Sequence, residues 1–295
     1  MVVPGTEIPA LIKLLDDEHP TVRAAVRKRL ADLGPDLERL LELHAPAGSE
    51  PLRELALRLR REFLREEFLL GWADWMARPS SLAKLEGGLK LLATHLSAGG
   101  GRADEIASGI EARLDSLADL LLRLEPRPDF RDLADFLFAS GRFRGNEEDY
   151  YAPANSNLDR VLQDRLGNPI LLACVMMSVG ARVGIEVGGC NFPGHFLARH
   201  QAVGNGPLYV IDCFNGGRIL PAEVLIQHQP FAVPEVETVV RAEAPAEVIL
   251  CRVLNNLEQA FEREGNGAEQ RFVHDLWSAT SAGVGDDFLR GRGGS

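Results

Sequence analysis

The chain has 295 residues, 45% of them hydrophobic, so it is long enough to bury a core in one large domain or in two to three smaller ones. Its 43 acidic residues outnumber its 32 basic residues, and the formal net charge is -11. A surface of that sign repels phosphate backbones and anionic lipid, which argues against nucleic acid and membranes as partners. The start of the sequence has no basic segment followed by an apolar run, and no later stretch approaches the ~20 apolar residues of a membrane span, so we expect a cytoplasmic protein.

The four cysteines, at positions 174, 190, 213 and 251, form neither a CxxC pair nor a disulfide-rich spacing. Cys174 stands inside the apolar run Leu171-Leu172-Ala173-Cys174-Val175-Met176-Met177. This pattern predicts buried, free thiols in a reducing compartment. The histidines have no metal-ligand spacing, and no glycine-rich loop opens a helix after a strand, so we predict no metal and no cofactor.

The first half of the chain is predicted to be almost entirely helical. Residues 8–33 contain two amphipathic patterns separated by Asp16-Asp17-Glu18-His19-Pro20, and this segment resembles a HEAT repeat. Only one copy is present, whereas a solenoid needs about three repeats, so we expect a helical hairpin within a HEAT-like region at residues 1–66. Further helical patterns cover residues 50–70, 82–96, 103–123 and 130–140.

The second half changes character after Gly141. Three short runs rich in β-forming residues, 185–187, 195–199 and 208–212, are predicted strands of an antiparallel sheet. One helix precedes them, starting near Pro169 and ending before Gly184. Helical periodicity returns as a predicted hairpin over residues 246–281, and the glycine-rich end, 282–295, is predicted to be disordered.

Two polar residues stand at the ends of neighbouring predicted strands. His195 follows Pro193-Gly194 at the start of one run, and Asp212 ends the next. A carboxylate beside an imidazole orients the ring for base chemistry. Such a pair needs a nucleophile at the N-terminus of a facing helix, where the helix dipole lowers the pKa of a thiol.

The order helix, His strand, Asp strand is that of transglutaminase-like domains, and longer motifs resemble the SirB-type transglutaminase-like family of bacterial proteins. In chain order these motifs are Gly141-Arg142-Phe143-Arg144-Gly145-Asn146, Asp149-Tyr150, Asn155-Ser156-Asn157-Leu158-Asp159-Arg160-Val161-Leu162, Arg165-Leu166-Gly167-Asn168-Pro169-Ile170, Phe192-Pro193-Gly194-His195-Phe196-Leu197 and Asp212-Cys213-Phe214-Asn215-Gly216-Gly217-Arg218. The resemblance covers about residues 70–230, and the segment Arg252-Val253-Leu254-Asn255-Asn256-Leu257 resembles the start of the tetratricopeptide-like hairpin of the same family.

The resemblance implies an α+β fold that is mostly helical, with a small antiparallel sheet in a papain-like or transglutaminase-like core. We place this core at residues 67–232, with a helical subdomain at 67–140 and an α+β part at 141–232. The hairpin at 246–281 would follow as a tetratricopeptide-like unit.

The same resemblance assigns His195 and Asp212 to the catalytic His and Asp of the superfamily, but no cysteine matches its nucleophile. The superfamily places that cysteine at the start of the core helix, two residues after a glycine, where this chain reads Gly167-Asn168-Pro169-Ile170. Cys174 lies four residues beyond Ile170, about 6 Å farther along the axis at 1.5 Å per residue. That displacement puts it beyond the reach of the base and of most of the helix-end field.

Two functions therefore remain open. The first is a non-catalytic module that binds or regulates a protein or peptide partner, with the helical flanks making protein contacts. The second is a cysteine-dependent acyl transferase or peptidase that uses Cys174, His195 and Asp212. The sequence does not indicate an oligomeric state.

A polar binding groove is predicted where turn segments meet the core helix and the sheet. Besides His195 and Asp212, its candidate binding residues are Asn155, Arg165, Asn168, Asn215 and Arg218. The alternative is an internal ion pair between Arg165 and Asp212 that holds the segment at Asn155 against the sheet.

Overall fold

The structure is a computed structural model, and it describes residues 6–15, 17–34, 36–46, 48–97, 103–202, 204, 206–227 and 234–282. The chain divides into two compact units, which we describe separately. Unit 1 comprises Met1–Ala77 and Leu91–Ala107, and unit 2 comprises Arg78–Lys90 and Ser108–Ser295. Apart from Ala282, the tail predicted to be disordered lies outside the described residues.

Among the described residues of unit 1, all regular secondary structure is helical. The unit holds α1 (Ile8–Lys13), α2 (Pro20–Asp32), α3 (Asp36–His44), α4 (Glu50–Met76) and parts of α5 (Leu82–Leu96) and α6 (Ala103–Leu124). Pro20 is the first residue of α2, where a missing backbone N–H costs nothing. The apolar stripes of α1 to α4 meet in one core that includes Ile8, Leu30 and Leu41. Of these helices, α3 was not predicted from the sequence. The likeness of this region to a HEAT repeat stays a prediction.

Unit 2 carries the sheet and the remaining helices. After α6 they are α7 (Phe130–Ala134), a π-helical turn (Asp135–Ala139), β1 (Arg144–Gly145), a 3-10 turn (Pro153–Ser156), α8 (Leu158–Asp164), β2 (Leu166–Gly167), α9 (Pro169–Arg182), β3 (Gly188–Cys190), β4 (Leu197–Gln201), β5 (Leu208–Asp212), β6 (Arg218–Pro221), α10 (Ala222–Gln227), α11 (Pro234–Arg241), α12 (Ala246–Glu264) and α13 (Gly267–Ser281). In the part of the chain that the structure describes, no helix is both long and apolar enough to cross a membrane.

Helix α9 is the core helix of unit 2. Every residue from Pro169 to Gly180 is buried. The side chain of Asn168 caps the helix by accepting a hydrogen bond from the backbone N–H of Leu171, and Pro169 takes the first helical position. The predicted start and end of this helix therefore agree with the structure to within one residue.

The main sheet is antiparallel in the order β3-β4-β5-β6. Strand β5 has the predicted bounds, whereas β3 begins at Gly188, directly after the predicted run 185–187. Its two glycines do not signal a strand in the sequence, yet both are closely packed: a Cβ added to Gly188 would lie 2.7 Å from Glu243, and one added to Gly189 would lie 2.8 Å from Phe196. Strand β6 was not predicted because it is short and contains Pro221, which is tolerated at the edge of a sheet.

Helices α12 and α13 pack against each other as a hairpin after the sheet. Between them Gly265 adopts a left-handed conformation with φ of 70°, and the side chain of Asn266 caps α13. With its small antiparallel sheet and its many helices, the chain has the predicted α+β class, which is confirmed. The tetratricopeptide-like character of the hairpin and the predicted domain bounds stay predictions.

Candidate functional site

His195 and Asp212 meet at one corner of the sheet. Strands β4 and β5 pair with Ala198 opposite Ile211, so the turn before β4 and the last residue of β5 lie at the same end. Gly194, with φ of 74°, gives the turn a left-handed residue just before His195. His195 Nε2 lies 2.8 Å from Asp212 Oδ1, and the two side chains are 30% and 20% exposed. The imidazole and the carboxylate thus form a hydrogen-bonded pair within reach of solvent.

Asn215 completes the bonding of the carboxylate. Its backbone N–H donates to Asp212 Oδ1 at 3.1 Å, and its side-chain Nδ2 donates to Oδ2 at 2.9 Å. Burial opposes ionisation of Asp212, but the hydrogen bonds from His195 and Asn215 lower the pKa of this carboxyl below its ordinary value. The aspartate is therefore held in the ionised form, with both oxygens accepting.

An ionised Asp212 decides which ring nitrogen of His195 is free. In the neutral imidazole, Nε2 carries the proton that is donated to the carboxylate, and Nδ1 keeps its lone pair. No described residue donates a hydrogen bond to Nδ1. The ring of Phe214 stands edge-on, 6.4 Å from the imidazole centroid. His195 thus offers an oriented acceptor or base.

The thiol that this base would need in the superfamily mechanism is absent from the start of α9, where Pro169 and Ile170 are buried. Cys174 is 1% exposed, and burial, together with the charge of Glu86, raises its pKa to about 12. Burial likewise raises the pKa of Cys190 to about 11, that of Cys251 to about 12, and that of Cys213 well above its ordinary value. All four thiols are free and buried. None has the low pKa of a nucleophile.

Asn155 is a residue of the predicted groove that the structure buries, with 3% exposed. Its Nδ2 donates to the carbonyls of Asp149 at 2.7 Å and Tyr150 at 3.0 Å, and its Oδ1 accepts from Asn146 at 2.9 Å. Both the oxygen and the nitrogen of this buried amide thus have partners within the protein. Asn155 therefore ties down the loop at residues 146–151 rather than facing an open groove.

Asn168 is also buried, with 2% exposed, and both ends of its amide have a partner. Its Oδ1 caps α9 through the N–H of Leu171 at 2.9 Å, and its Nδ2 donates to Ser156 Oγ at 2.8 Å. Its surroundings assign it to the start of the core helix rather than to an open groove. Residue type alone did not reveal this, because an amide serves equally well as a cap or as a ligand contact.

The two predicted arginines have different positions. Arg218 is exposed and lies opposite Asp212 in the β5–β6 register. Arg165 ends α8 in a left-handed conformation, with its guanidinium 4.7 Å from the Phe143 ring centroid. No ion pair joins Arg165 to Asp212 in the described ranges, and the carboxylate instead accepts from His195 and Asn215. The internal ion pair considered from the sequence is therefore not formed.

An aromatic surface that the sequence reasoning missed lies beside the His–Asp pair. Tyr150 and Tyr151 are each 41% exposed, and the Tyr150 ring lies edge-on, 5.8 Å from Phe214. Phe214 packs against Gly145, where an added Cβ would lie 2.6 Å from the ring. The signal was available, since two of the three tyrosines are adjacent in a loop of acidic residues.

Helix α12 supports the loop that carries His195, a second feature that was missed. Arg252 Nη1 donates to Asn191 Oδ1 at 2.7 Å and to the Phe192 carbonyl at 2.9 Å. The same carbonyl accepts from the backbone N–H of His195 at 3.3 Å. Arg252 therefore acts on His195 through one shared acceptor. No local signal could have identified this contact, because Arg252 and Asn191 are 61 residues apart.

In the described part of the chain, no three His, Cys, Asp or Glu side chains are grouped so as to hold a metal ion. The corner at His195 thus consists of one imidazole, one carboxylate, an amide, an arginine and a wall of aromatic rings.

Comparison with known proteins places the chain in a family. A UPF0162 protein of Xylella fastidiosa is 42% identical over 132 residues, covering 43% of this chain and 46% of the relative. A UPF0162 protein of Vibrio cholerae is 30% identical over 119 residues, covering 40% of this chain and 42% of the relative. F-box only protein 21 of Mus musculus is 29% identical over 184 residues, covering 57% of this chain and 28% of the relative.

The chain therefore matches less than half of the length of each of these relatives. No solved structure matches it. The model of the Transglutaminase-like superfamily matches residues 102–255, a segment that holds His195, Asp212, Asn215 and Arg252. Because this segment is more than half of the chain, the protein belongs to the Transglutaminase-like superfamily.

Proposed function

We propose that this protein is a non-catalytic member of the superfamily that binds a protein or peptide partner at the His195–Asp212 corner. The observation that carries the proposal is a contrast within one fold. The His–Asp pair is formed and solvent-accessible, with an open Nδ1, while every cysteine is buried and has a raised pKa.

Thiol acyl transfer needs a thiolate within hydrogen-bond reach of its base. At neutral pH a thiol with a pKa of about 12, as at Cys174, is almost entirely protonated. Cys174 also lies inside α9 beyond its first turn, where the field of the helix end has faded. None of the four cysteines therefore supplies the His–Asp pair with an activated thiol.

The same corner has the chemistry of a recognition surface. His195 Nδ1 is able to accept a hydrogen bond, the guanidinium of Arg218 is able to donate, and both side chains reach solvent. Tyr150 and Tyr151 add exposed aromatic area, and tyrosine and arginine are enriched where proteins bind proteins. A polypeptide with backbone N–H and C=O groups and an apolar side chain matches this combination.

The proposal includes membership of the SirB-type family within the superfamily. A SirB-type protein with a HEAT-like N-terminal region and a tetratricopeptide-like hairpin would carry further helical surfaces for contact with a protein partner in the cytoplasm. The bonds of Arg252 to the His195 loop support a role for the hairpin in positioning this corner.

The competing function is a cysteine-dependent acyl transferase or peptidase that uses Cys174, His195 and Asp212. The bonded His–Asp geometry favours it, because that pair orients an imidazole for base work. The two functions differ in one observable, since acyl transfer forms a covalent thioester at a cysteine whereas recognition does not.

A displayed peptide library, selected on the full chain, tests the proposal. We expect selected peptides to lose about tenfold or more in affinity for His195→Ala, measured by fluorescence anisotropy, since an oriented hydrogen bond of about 1.4 kcal/mol corresponds to that factor. His274→Ala is the matched control, because His274 also bonds an acid, Glu258 at 2.9 Å, on the hairpin. Its affinity for the peptides should be unchanged.

Two results would overturn the proposal. One is a library from which no peptide depends on His195. The other is an acyl adduct on Cys174, seen by intact mass after incubation with an activated ester and absent from both Cys174→Ala and His195→Ala. The second result would establish the thiol acyl transferase instead.

A further inference from the structure

A cavity of about 570 Å³ lies within unit 1. All the residues that line it belong to this unit, and they come from α2, α4, α5 and the start of α6. Sites that enclose a small organic molecule have volumes of roughly 300 to 1,000 Å³. The cavity therefore has room for such a ligand.

Helix α4 presents one face to the cavity. Its lining residues are spaced i, i+3, i+4, i+7 and i+8 along the helix, which places them on the same side. They are Arg60, Phe63, Leu64, Glu67 and Phe68. This face thus combines three apolar side chains with one cation and one acid.

Side-chain contacts join α4 to two of the other helices that line the cavity. Arg27 Nη2 on α2 donates to Glu66 Oε1 on α4 at 2.7 Å. The ring centroid of Phe68 on α4 lies 4.9 Å from that of His95 on α5 and 5.5 Å from that of Trp72. Phe68 is therefore packed against aromatic neighbours and gives the cavity an ordered apolar wall.

Arg60 is a buried cation among the lining residues, with 9% of its surface exposed. Burial lowers the pKa of Arg60, and the charge of Glu38, which acts in the opposite direction, does not offset this. The guanidinium is nevertheless protonated at any ordinary pH. A negative group that reached it in the cavity would therefore stabilise its charge.

The other charged groups of the lining differ from Arg60 in their exposure. Three exposed acids also line the cavity: Asp32, Glu67 and Asp104. Arg29, the other arginine, bonds Glu7 through its Nε at 2.9 Å and its Nη2 at 2.6 Å. At an effective dielectric constant of about 20 a charge pair is about four times as strong as in bulk water, and exposed charges are further screened by salt. A singly charged anion enclosed in the cavity therefore interacts more strongly with Arg60 than with the acids, whereas the acids disfavour a doubly charged group such as phosphate.

We propose that this cavity binds a small amphipathic carboxylate, with the apolar body of the ligand against Phe63, Leu64 and Phe68 and its carboxylate on Arg60. A planar guanidinium matches the two oxygens of a carboxylate. The aromatic side chains favour a ligand body with a ring, because packed rings attract each other beyond the effect of buried area. The inference does not depend on the proposed polypeptide-binding function, since every lining residue belongs to unit 1 and His195 belongs to unit 2.

Three naphthalene probes that differ in charge test the proposal on the full chain by isothermal titration calorimetry. They are naphthalene-2-carboxylate, the neutral naphthalen-2-ylmethanol and the cationic naphthalen-2-ylmethylammonium. We expect saturable binding of the carboxylate, at least about tenfold tighter than that of the alcohol, because the carboxylate alone makes charge-assisted bonds to Arg60. The ammonium should also bind more weakly than the carboxylate. The proposal is overturned if the carboxylate does not bind, or if it binds no more tightly than the alcohol or the ammonium.

Arg60→Met removes the charge and keeps a long unbranched side chain, so the fold should be maintained, as the melting temperature will show. Affinity for the carboxylate should fall about tenfold or more, while affinity for the alcohol should change less than about twofold. Arg61→Met is the matched control, since Arg61 is the next residue of α4, is exposed and lies outside the cavity lining. Its affinity for both probes should stay within about twofold of that of the unaltered chain.

Leu64→Trp is the second variant, and it decides the question if Arg60→Met does not fold. The larger ring occupies part of the cavity and acts through volume rather than charge, so it should weaken the carboxylate and the alcohol alike, by about tenfold or more. Binding of the carboxylate to folded Arg60→Met or to Leu64→Trp as tightly as to the unaltered chain would contradict the proposal.

Discussion

The His195–Asp212 corner and the start of α9 both contain polar side chains, but these are solvent-accessible at the corner and buried at the helix start. At the corner, His195 is 30% exposed and keeps an open Nδ1. At the start of α9, Asn168 is 2% exposed and bonded to Leu171 and Ser156, and Cys174 is buried farther along the same helix. The comparison shows that residue type does not tell a polar residue that supports the fold from one that can contact a ligand. Burial of the side chain and the hydrogen bonds that it already makes within the protein do so.

The largest effect expected from this contrast is on thiol reactivity. At the same pH, a pKa of about 12 rather than 9 lowers the thiolate fraction of Cys174 about 10³-fold, so alkylation by iodoacetamide at pH 7.5 should be slower by at least that factor than in the unfolded chain. Mass spectrometry of labelled peptides over time measures the rate, with the same reaction in denaturant as control. Stoichiometric labelling of Cys174 within minutes in the folded protein would show that this thiol is reactive and would contradict the prediction.

The second effect is on stability at the buried region. Asn168→Ala removes the cap of α9 and leaves Ser156 without its donor, so we expect the free energy of unfolding to fall by about 2 to 4 kcal/mol in denaturant titrations. Asn168→Ser keeps a capping oxygen and should lose less. If Asn168→Ala cost under about 0.5 kcal/mol, its bonds would not be part of the scaffold.

A smaller, pH-dependent effect is expected at the corner itself. Asp212→Asn should lower the free energy of unfolding by about 1 to 2 kcal/mol at pH 7, because the carboxylate loses charge-assisted bonds to His195 and Asn215. The pKa of Asp212 is lower in the folded state, so its contribution is complete above the unfolded pKa, near 4, and disappears as pH falls through the folded pKa.

Denaturant titrations of the unaltered chain and Asp212→Asn between pH 7 and pH 3 measure this dependence. The two curves should converge at the acidic end. Curves that stay parallel over the whole range would show that the carboxylate is not stabilised by its partners.

The smallest effect on stability is expected at Arg218. Its side chain is exposed on an edge strand, so Arg218→Ala should change the free energy of unfolding by no more than about 0.5 kcal/mol. The same change should weaken binding of the selected peptides, since Arg218 is exposed and pairs with Asp212 in the strand register. A loss of stability without a loss of binding would assign Arg218 to the scaffold.

Local sequence signals predicted the elements that position the corner. The apolar run, bounded by Pro169 and Gly184, predicted α9, and the β-forming run 208–212 predicted β5 with its bounds. The order of motifs then placed His195 and Asp212 at neighbouring strand ends, where their side chains are in contact. These features depend on residues close together in the chain, through periodicity, turn residues and helix caps.

Only the tertiary structure decided which polar groups are open. Asn155 and Asn168 looked as suitable for a groove as Asn215, but packing buries both of them, and Asn168 bonds Ser156 of the turn before α8. Arg252, which supports the His195 loop from α12, also acts through contacts distant in sequence. Periodicity specifies which face of an element is apolar, whereas the saturation of a polar side chain depends on which other segments pack against it.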